Sequence, residues 1–345
     1  MIRVLIVDDN PLAGRLLARA LDGLPDIQVV GIATDAFIAR EQILALTPDV
    51  LTLDIELPRM DGLTFLRALM RHRPMPVVVI SASSQEGSEQ AIQAYEYGAV
   101  AVLAKPGPGA DPAQLAKALQ QAIRAASAAK IRSPDSGTRP TVALPQHFPA
   151  GRILAIGAST GGVAAIADIL GRLPANCPPV VIVQHLPADF TRGFAQRLSQ
   201  RSCLRVSEAK GGEEALPGSV FVAPGGRHLV VQGEPGRYRI ALDDGLPQRF
   251  QRPSVDVLFR SVAAVAGRQA VGILLTGMGS DGADGLLEMR RAGAHTLVQD
   301  EASCVVFGMP RAAIECGAAC AVAPLTRLAQ LAVAALSTAY AGQTE

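Results

Sequence analysis

Apolar residues in the first part of the chain form short runs, separated by stretches in which they recur every three or four positions. The runs are rich in Val, Ile and Leu, as buried strands are. They span residues 4–7, 29–32, 50–53, 77–80 and 100–103. The stretches of helical spacing span residues 11–21, 36–46, 62–70, 89–97 and 112–129. This alternation predicts a parallel sheet with helices on both faces.

A second alternating series begins after residue 150. Its predicted strands span residues 153–156, 180–184, 220–223, 273–276 and 296–299. Residues 228–242 contain two alternating runs around Gly-Glu-Pro-Gly, which is typical of an antiparallel hairpin.

A linker separates the two series, because residues 123–150 contain four prolines among Ser, Thr and Gly and predict an extended tether. We therefore predict an α/β protein of two doubly wound parallel-sheet domains. The first is a (βα)5 domain over residues 1–122, and the second is a larger α/β domain with a hairpin insert over residues 151–345.

Composition narrows the classes of partner. The chain has 345 residues, with 32 Lys and Arg against 31 Asp and Glu, so no excess of charge attracts nucleic acid or anionic lipid. No apolar run approaches the roughly 18 to 20 residues that span a bilayer, and acidic residues interrupt the N-terminus. The five cysteines form no CxxC pair, which predicts buried, reduced thiols rather than zinc. We expect a cytoplasmic protein without direct membrane insertion and without a nucleic-acid partner.

Acidic residues follow two of the predicted strands in the first domain. Asp8 and Asp9 end the first strand, and Asp54 ends the third. Because the carboxyl ends of parallel strands share one edge of a sheet, these carboxylates should converge. Carboxylates at such short distances repel one another unless a divalent cation neutralises their charge. The three acidic residues therefore predict a Mg²⁺ site.

A hydroxyl and an ammonium group follow the fourth and fifth predicted strands, at Ser81 and Lys105. Together with a carboxylate and a metal, they would form an electrostatic clamp for a phosphoryl group moving onto a carboxylate oxygen. The alternative is that acids after strands only cap the following helices. One such residue would favour the cap, whereas five on successive strand ends favour the phosphoryl site.

Residues 1–122 resemble the receiver domains of two-component response regulators. The resemblance rests on the pair Asp8-Asp9, on Asp54 with Pro-x-Met-Asp-Gly at 58–62, on Ser-Ala at 81–82 and on Lys-Pro at 105–106. Val102 departs from the pattern, since many receivers carry an aromatic switch residue there.

The resemblance implies a role for each matching residue. Asp54 would be the phosphoacceptor. The Mg²⁺ ligands would be Asp8, Asp9, Asp54 and the backbone of Glu56. Ser81 would contact a phosphoryl oxygen, and Lys105 would sense the added charge.

The stretch ILAIGASTGG at 153–162 ends a strand in a glycine-rich turn. One interpretation is a phosphate cradle at a helix N-terminus. A dinucleotide site would then require an acid at the end of the next strand, where this chain has Gln184 and His185, and a Walker loop would require Gly-Lys-Ser or Gly-Lys-Thr. Neither requirement is met.

The other interpretation makes Ser159 a nucleophile, because residues 157–161 match G-x-S-x-G. His185 follows the next strand, and Asp281 follows a later one, so a Ser-His-Asp triad can form at one edge of the sheet. Each residue alone is more often structural. His228 and Asp256 remain alternative partners, ranked lower because they fall in a hairpin and a helical pattern.

Residues 151 to about 340 resemble the CheB family of chemotaxis protein-glutamate methylesterases. The matching motifs are IGASTGG, VQHLP, APGGRHL, RPSVDVLF and LTGMGSDGADG. This implies that Ser159, His185 and Asp281 are catalytic, with Thr160 beside the nucleophile and the Met278 amide in the oxyanion hole.

The same resemblance implies the substrate and the regulation. The substrates would be γ-glutamyl methyl esters and glutamines of methyl-accepting chemoreceptors, and the phosphodonor a chemotaxis-type histidine kinase. The receiver would cover the catalytic cleft until Asp54 is phosphorylated. Ester hydrolysis would need no cofactor. The competing hypotheses are a non-catalytic regulator whose second domain binds a nucleotide or a partner, and an esterase for small metabolites.

Overall fold

The computed structural model describes residues 1–81, 85–105, 112–131 and 147–338. The chain forms two compact units, Met1–Gly137 and Thr138–Glu345. Residues 132–146 of the predicted linker lie outside the described residues, so the limits at 122 and 150 stay predictions. Among the described residues, no helix is both long and apolar enough to cross a membrane.

The described residues of the first unit form a five-stranded parallel sheet with five helices. Its strands are β1 (Ile2–Val7), β2 (Ile27–Ala33), β3 (Val50–Asp54), β4 (Val77–Ser81) and β5 (Ala101–Ala104). Its helices are α1 (Pro11–Leu21), α2 (Ala36–Leu46), α3 (Gly62–His72), α4 (Gln85–Glu96) and α5 (Pro112–Ser127). The strand order β2-β1-β3-β4-β5 and the parallel pairing confirm the predicted architecture.

Polar residues before the helices determine where three of them begin. The Asn10 side chain accepts hydrogen bonds from the first-turn amides of α1, and Asp35 does so for α2 and Asp61 for α3. Pro11 at the start of α1 costs no hydrogen bond, because its missing N–H would have no partner in the first turn. These caps therefore fix where the chain enters α1, α2 and α3, after β1, β2 and β3.

The second unit is built on a seven-stranded parallel sheet and a separate hairpin. Its strands are β6 (Ile153–Ala158), β7 (Val180–Gln184), β8 (Arg205–Glu208), β9 (Ser219–Val222), β10 (His228–Glu234), β11 (Arg237–Asp243), β12 (Ala270–Leu274), β13 (His295–Gln299) and β14 (Ala321–Ala323). Its α-helices are α6 (Gly162–Leu170), α7 (Ala188–Arg201), α8 (Val255–Ala266), α9 (Ala283–Arg291), α10 (Met309–Glu315) and α11 (Leu325–Ser337), and a short 3₁₀ helix covers Gly267–Gln269.

The sheet order β14-β13-β12-β6-β7-β9-β8 places β6 at the centre. The antiparallel pairing of β10 with β11, closed at Glu234 and Arg237, confirms the predicted hairpin. The edge strands β8 and β14 were not among the predicted strands. The first alternates exposed and half-buried residues, and the second has only three residues, so neither forms a buried apolar run.

The register of the central strands determines which residues meet at the open edge. Gly157 on β6 is paired with Leu274 on β12, and Ala158 is paired with Gln184 on β7. The residues that follow these pairs therefore leave the sheet side by side.

All five cysteines are free. Cys177 and Cys304 are buried, as predicted. The prediction of burial is wrong for the other three, which are exposed because they lie beyond the ends of helices or beside an edge strand. These are Cys203, Cys316 and Cys320.

Candidate active site

The turn after β6 places Ser159 at the open edge of the second sheet. Its N–H donates to the carbonyl of Thr276 at 3.0 Å, and its carbonyl accepts from Gly162 at 2.8 Å. Gly161 has φ +80°, and a Cβ there would lie 2.6 Å from Cβ of Val305. Because both the backbone conformation and the space require glycine, the turn holds the serine in a defined position before α6.

His185 lies directly after β7, beside the serine turn. Its N–H donates to the carbonyl of Ala158 at 3.1 Å, and Nε2 lies 2.8 Å from Oδ2 of Asp281. An ionised carboxylate only accepts hydrogen bonds, so Nε2 carries the proton and Nδ1 keeps the lone pair. Among the described residues no hydrogen bond joins the Ser159 hydroxyl to this imidazole. Such bonds commonly close only when substrate binds.

Asp281 is bound at the N-terminus of α8. The Ser254 hydroxyl donates to Oδ1 at 2.7 Å, the Val255 amide donates to Oδ2 at 2.8 Å, and the Asp256 amide donates to Oδ1 at 3.0 Å. Burial alone would raise the pKa of Asp281. The hydrogen bond and charge of His185 and the two amides outweigh it and hold that pKa below its usual value. The carboxylate is therefore kept ionised where an imidazolium would form.

The alternative partners contact other groups. His228 begins β10, and its Nδ1 accepts from the Ser254 N–H at 3.1 Å. Asp256 lies in the first turn of α8, where its Oδ1 accepts from Gly285 N–H at 2.7 Å and its Oδ2 lies 3.3 Å from Nε of Arg249. In the part of the chain that the structure describes, neither side chain is hydrogen-bonded to His185. The geometry therefore favours Asp281 as the acid.

The two residues predicted beside the nucleophile lie in the same loops. The Thr160 carbonyl accepts from the Thr276 hydroxyl at 2.9 Å, and the Thr276 N–H donates to Oε1 of Gln299 at 2.8 Å. Met278 is half-exposed. The backbone N–H groups of Thr160 and Met278 make no hydrogen bond to any described residue, so both are available to a substrate oxygen.

The first unit brings the three predicted carboxylates together. One oxygen from each of Asp8, Asp9 and Asp54 lies within 4.8 Å of the others. Lys105 Nζ is 2.7 Å from Oδ2 of Asp54. Ser81 is buried at the end of β4, and its carbonyl accepts from the Lys105 N–H at 2.7 Å. Ala82 and Pro106 of the receiver motifs lie outside the described residues.

The electrostatics of this cluster suit a hard cation. Burial raises the pKa of both Asp8 and Asp54, and repulsion from Asp54 raises that of Asp8 further. Burial opposes the charge of Lys105 as well, but the hydrogen bond and charge of Asp54 outweigh it and raise the lysine pKa. Carboxylate oxygens are the ligands that Mg²⁺ prefers, so the donor set fits the predicted ion.

Both units match families of known proteins. Residues 154–332 match the model for CheB methylesterase, and residues 4–130 match the model for the response regulator receiver domain. A relative from Pectobacterium atrosepticum, named protein-glutamate methylesterase/protein-glutamine glutaminase, is 48% identical over 345 residues, covering 99% of this chain and 98% of that protein. This chain belongs to the CheB methylesterase family.

Two further similarities support the membership in the CheB family. A protein-glutamate methylesterase/protein-glutamine glutaminase of Anaeromyxobacter dehalogenans is 48% identical over 331 residues, covering 95% of this chain and 93% of the relative. The crystal structure of the Thermotoga maritima CheB methylesterase catalytic domain superposes with a TM-score of 0.52 at 38% identity, covering 54% of this chain and 99% of that domain. The recognised resemblance is confirmed over nearly the whole chain.

Two features of this CheB-family site were missed by the sequence analysis. Buried Gln184 donates from Nε2 to the carbonyls of Ser159 at 2.8 Å and His185 at 3.3 Å, so one amide ties the two turns together. A polar residue ending an otherwise apolar strand was the available signal. The binding of Asp281 by Ser254 had no such signal, because it depends on where α8 packs.

Proposed function

We propose that this chain is a serine hydrolase that removes methyl groups from γ-glutamyl methyl esters of methyl-accepting chemoreceptors and deamidates receptor glutamines. The names of the two relatives, protein-glutamate methylesterase/protein-glutamine glutaminase, support both activities. The single observation that carries the proposal is the 2.8 Å contact between Nε2 of His185 and Oδ2 of Asp281, at the strand end beside Ser159. A nucleotide-binding module would have no use for that pair.

In the first half-reaction, Oγ of Ser159 forms a bond to the ester carbonyl carbon while its proton passes to Nδ1 of His185. The imidazolium then returns the proton to the departing methoxide, and methanol leaves as the C–O bond breaks. Asp281 stabilises the imidazolium and keeps the proton on Nε2 in the resting enzyme. An acyl-enzyme on Ser159 remains.

In the second half-reaction, water attacks the acyl carbon and Nδ1 of His185 takes its proton. The bond between the acyl carbon and Oγ of Ser159 then breaks, and the imidazolium returns the proton to Oγ. The amides of Met278 and Thr160 would bind the oxyanion in both steps, and one such donor typically lowers the barrier by about 2.7 to 4 kcal/mol. With a glutamine substrate, ammonia replaces methanol. It leaves less readily, so protonation by the imidazolium matters more.

The receiver would make this activity responsive to a chemotaxis-type histidine kinase in the cytoplasm, where the receptor substrates would lie. Asp54 would accept the phosphoryl group, with Ser81 and Lys105 beside it. Asp8, Asp9 and Asp54, with the backbone of Glu56, would hold Mg²⁺, which when bound neutralises phosphoryl charge. A phosphoryl group carries roughly 1.5 to 2 negative charges, and Lys105 is placed to sense them.

The proposal is tested by incubating the full chain with methyl-labelled chemoreceptor and measuring released methanol, with and without a small phosphodonor. We expect release by the wild type, an increase with the phosphodonor, and no release above background by Ser159→Ala. Release by Ser159→Ala at the wild-type rate would overturn the nucleophile. No release by the folded wild type, with or without the phosphodonor, would overturn the function.

A further inference from the structure

Two hydrogen bonds join His228 of the hairpin to Asp281 through Ser254, the first at the serine backbone and the second at its hydroxyl. His228 Nδ1 accepts from the Ser254 N–H at 3.1 Å, and the Ser254 hydroxyl donates to Oδ1 of Asp281 at 2.7 Å. The three residues are 1%, 0% and 3% exposed. Water cannot replace these hydrogen bonds without the site opening, so each bond constrains the next residue.

The donor and the acceptor of each hydrogen bond between His228, Ser254 and Asp281 can be assigned. A backbone N–H can only donate, so Nδ1 of His228 accepts and its Nε2 carries the proton, which faces the Leu246 carbonyl at 3.1 Å. The Ser254 hydroxyl has one proton, and the ionised carboxylate can only accept it. A neutral histidine of one tautomer therefore holds the serine in position.

The two oxygens of Asp281 have different partners because of this arrangement. Oδ1 accepts from the Ser254 hydroxyl and the Asp256 amide, whereas Oδ2 accepts from His185 and the Val255 amide. Ser254 thus contacts the oxygen that does not bind the catalytic imidazole. Its bond restrains rotation of the carboxylate about χ2, which decides where Oδ2 points.

We propose that Ser254, held by His228, is a positioning residue for hydrolysis: it fixes the rotation of the Asp281 carboxylate, so that Oδ2 keeps the proton on Nε2 of His185 and leaves Nδ1 as the base. The inference rests on the proposed function. It adds two residues that act through Asp281 rather than on the substrate.

The charged groups that face Asp281 from the surrounding elements have partners of their own. Asp256 accepts from Gly285 and pairs with Arg249, and Asp284 pairs with the same arginine. Arg249 also donates to the Ser280 hydroxyl at 3.0 Å, directly before Asp281. None of these contacts involves the Ser254 hydroxyl, so removing that hydroxyl leaves them in place.

The first test compares Ser254→Ala with Ser261→Ala in the full chain. Ser261 lies on the same helix and loses a comparable pair of bonds, since its hydroxyl accepts from the Val231 N–H at 3.0 Å and donates to the Leu258 carbonyl at 2.7 Å. We expect kcat for methanol release to fall about tenfold in Ser254→Ala with KM unchanged, equivalent to about 1.4 kcal/mol of barrier. Ser261→Ala should keep the wild-type kcat at a temperature where both variants are folded.

The second test uses two substitutions of His228 that each keep one of its hydrogen bonds. In His228→Asn the amide oxygen can take the place of Nδ1 and accept from Ser254, whereas in His228→Gln the amide nitrogen can take the place of Nε2 and donate to Leu246. We expect His228→Asn to keep several-fold more kcat than His228→Gln. If Ser254→Ala does not fold, this pair decides the matter.

A spectroscopic readout separates positioning from loss of stability. The proton between His185 and Asp281 should give a low-field proton resonance that Asp281→Asn abolishes, and Ser254→Ala should shift or broaden it while Ser261→Ala leaves it unchanged. Equal kcat values and an unchanged resonance in Ser254→Ala would overturn the positioning role. Absence of methanol release by the wild type would instead count against the proposed function, and the resonance would still test the role of Ser254.

Discussion

The hydroxyl of Tyr95 accepts a hydrogen bond of 3.0 Å from the backbone N–H of Val102. Tyr95 lies on α4 and Val102 on β5, which is an edge strand of the first sheet. Val102 stands where many receivers carry an aromatic residue. Its backbone N–H lies on an edge strand and finds its hydrogen-bond acceptor in the phenol of the neighbouring helix. Burial raises the pKa of the Tyr95 hydroxyl to about 12, so the phenol stays neutral across the working range.

This contact predicts that Tyr95→Phe destabilises the receiver. The Val102 N–H would lose its partner in a partly buried position, at a cost of about 1 to 3 kcal/mol. Urea denaturation followed by circular dichroism measures the change. Tyr97→Phe, two residues further on, is the matched control, because the ring of Tyr97 lies against Arg67 and keeps that contact without the hydroxyl. Equal decreases in the free energy of unfolding of the two variants would contradict the role of the Tyr95 hydroxyl.

Substitution of Asp281 by asparagine should disable the base. An asparagine amide can donate to Nε2 of His185, which would place the ring proton on Nδ1 and remove the lone pair that the serine needs. We expect kcat for methanol release to fall by about 10⁴-fold, as wrong-tautomer substitutions do in serine hydrolases. Asp284→Asn, in the first turn of α9, is the control, with a rate within a few-fold of wild type. A mild loss in Asp281→Asn would exclude the proposed tautomer.

The same carboxylate predicts a pH dependence of stability. Because the folded pKa of Asp281 is lowered, its ionised form stabilises the fold above the unfolded value of about 3.9, and that contribution is lost as the pH falls through the folded pKa. The difference in unfolding free energy between wild type and Asp281→Asn should therefore be constant near neutrality and shrink below about pH 4. Urea titrations between pH 3 and 7 check this, and a difference that grows on acidification would contradict it.

Chelation of divalent cations should block phosphorylation of the receiver without affecting ester hydrolysis by the second domain. Among the described residues, the one group of acidic, His or Cys side chains spaced to hold a metal is Asp8, Asp9 and Asp54 in the receiver. We expect EDTA to abolish the stimulation of methanol release by a small phosphodonor and to leave the basal rate unchanged. Asp54→Asn should have the same phenotype.

The control for that experiment is Asp26→Asn, which removes an exposed carboxylate paired with Arg124 and should retain stimulation. A fall in the basal rate on chelation would show that hydrolysis itself requires a metal and would contradict the mechanism.

Removal of residues 1–145 should raise the basal rate, if the receiver restrains the catalytic domain as the family resemblance implies. A restraint of about 2 kcal/mol corresponds to roughly 30-fold in access to the site. The relative from Thermotoga maritima yielded a structure of its catalytic domain alone, so a matching fragment is a reasonable preparation. Methanol release without a phosphodonor measures the effect, and a folded fragment with an unchanged or lower rate would refute the restraint.

Much of the fold was predictable because buried strands leave simple signals. The helical spacing predicts α1 and α2 with the bounds that the structure has, and the apolar run at 180–184 coincides with β7. The positions of Ser159 and His185 follow from these runs, since a residue directly after a central parallel strand must lie at the open edge. Predicting where a strand ends therefore also predicted which side chains lie at the edge of the sheet.

The contacts that hold Asp281 could not be predicted in the same way. Ser254 looks like an ordinary helix cap, and it does cap α8 through the Val257 amide. Its contact with Asp281, 27 residues later, exists only because α8 packs beside the turn that carries the acid. The residue type of His228 makes it a candidate general base. The local sequence does not show that it instead binds Ser254.

The pairing of Ala158 with Gln184 has a consequence for how this site tolerates change. Successive residues of a strand face opposite sides of the sheet, so one residue inserted into or deleted from β6 or β7 would turn the side chain that follows, Ser159 or His185, to the other face. Loops that begin after the triad residues can vary in length without that effect. Variation in length within a lineage should therefore accumulate beyond the turns, while the number of residues in β6 and β7 stays constant.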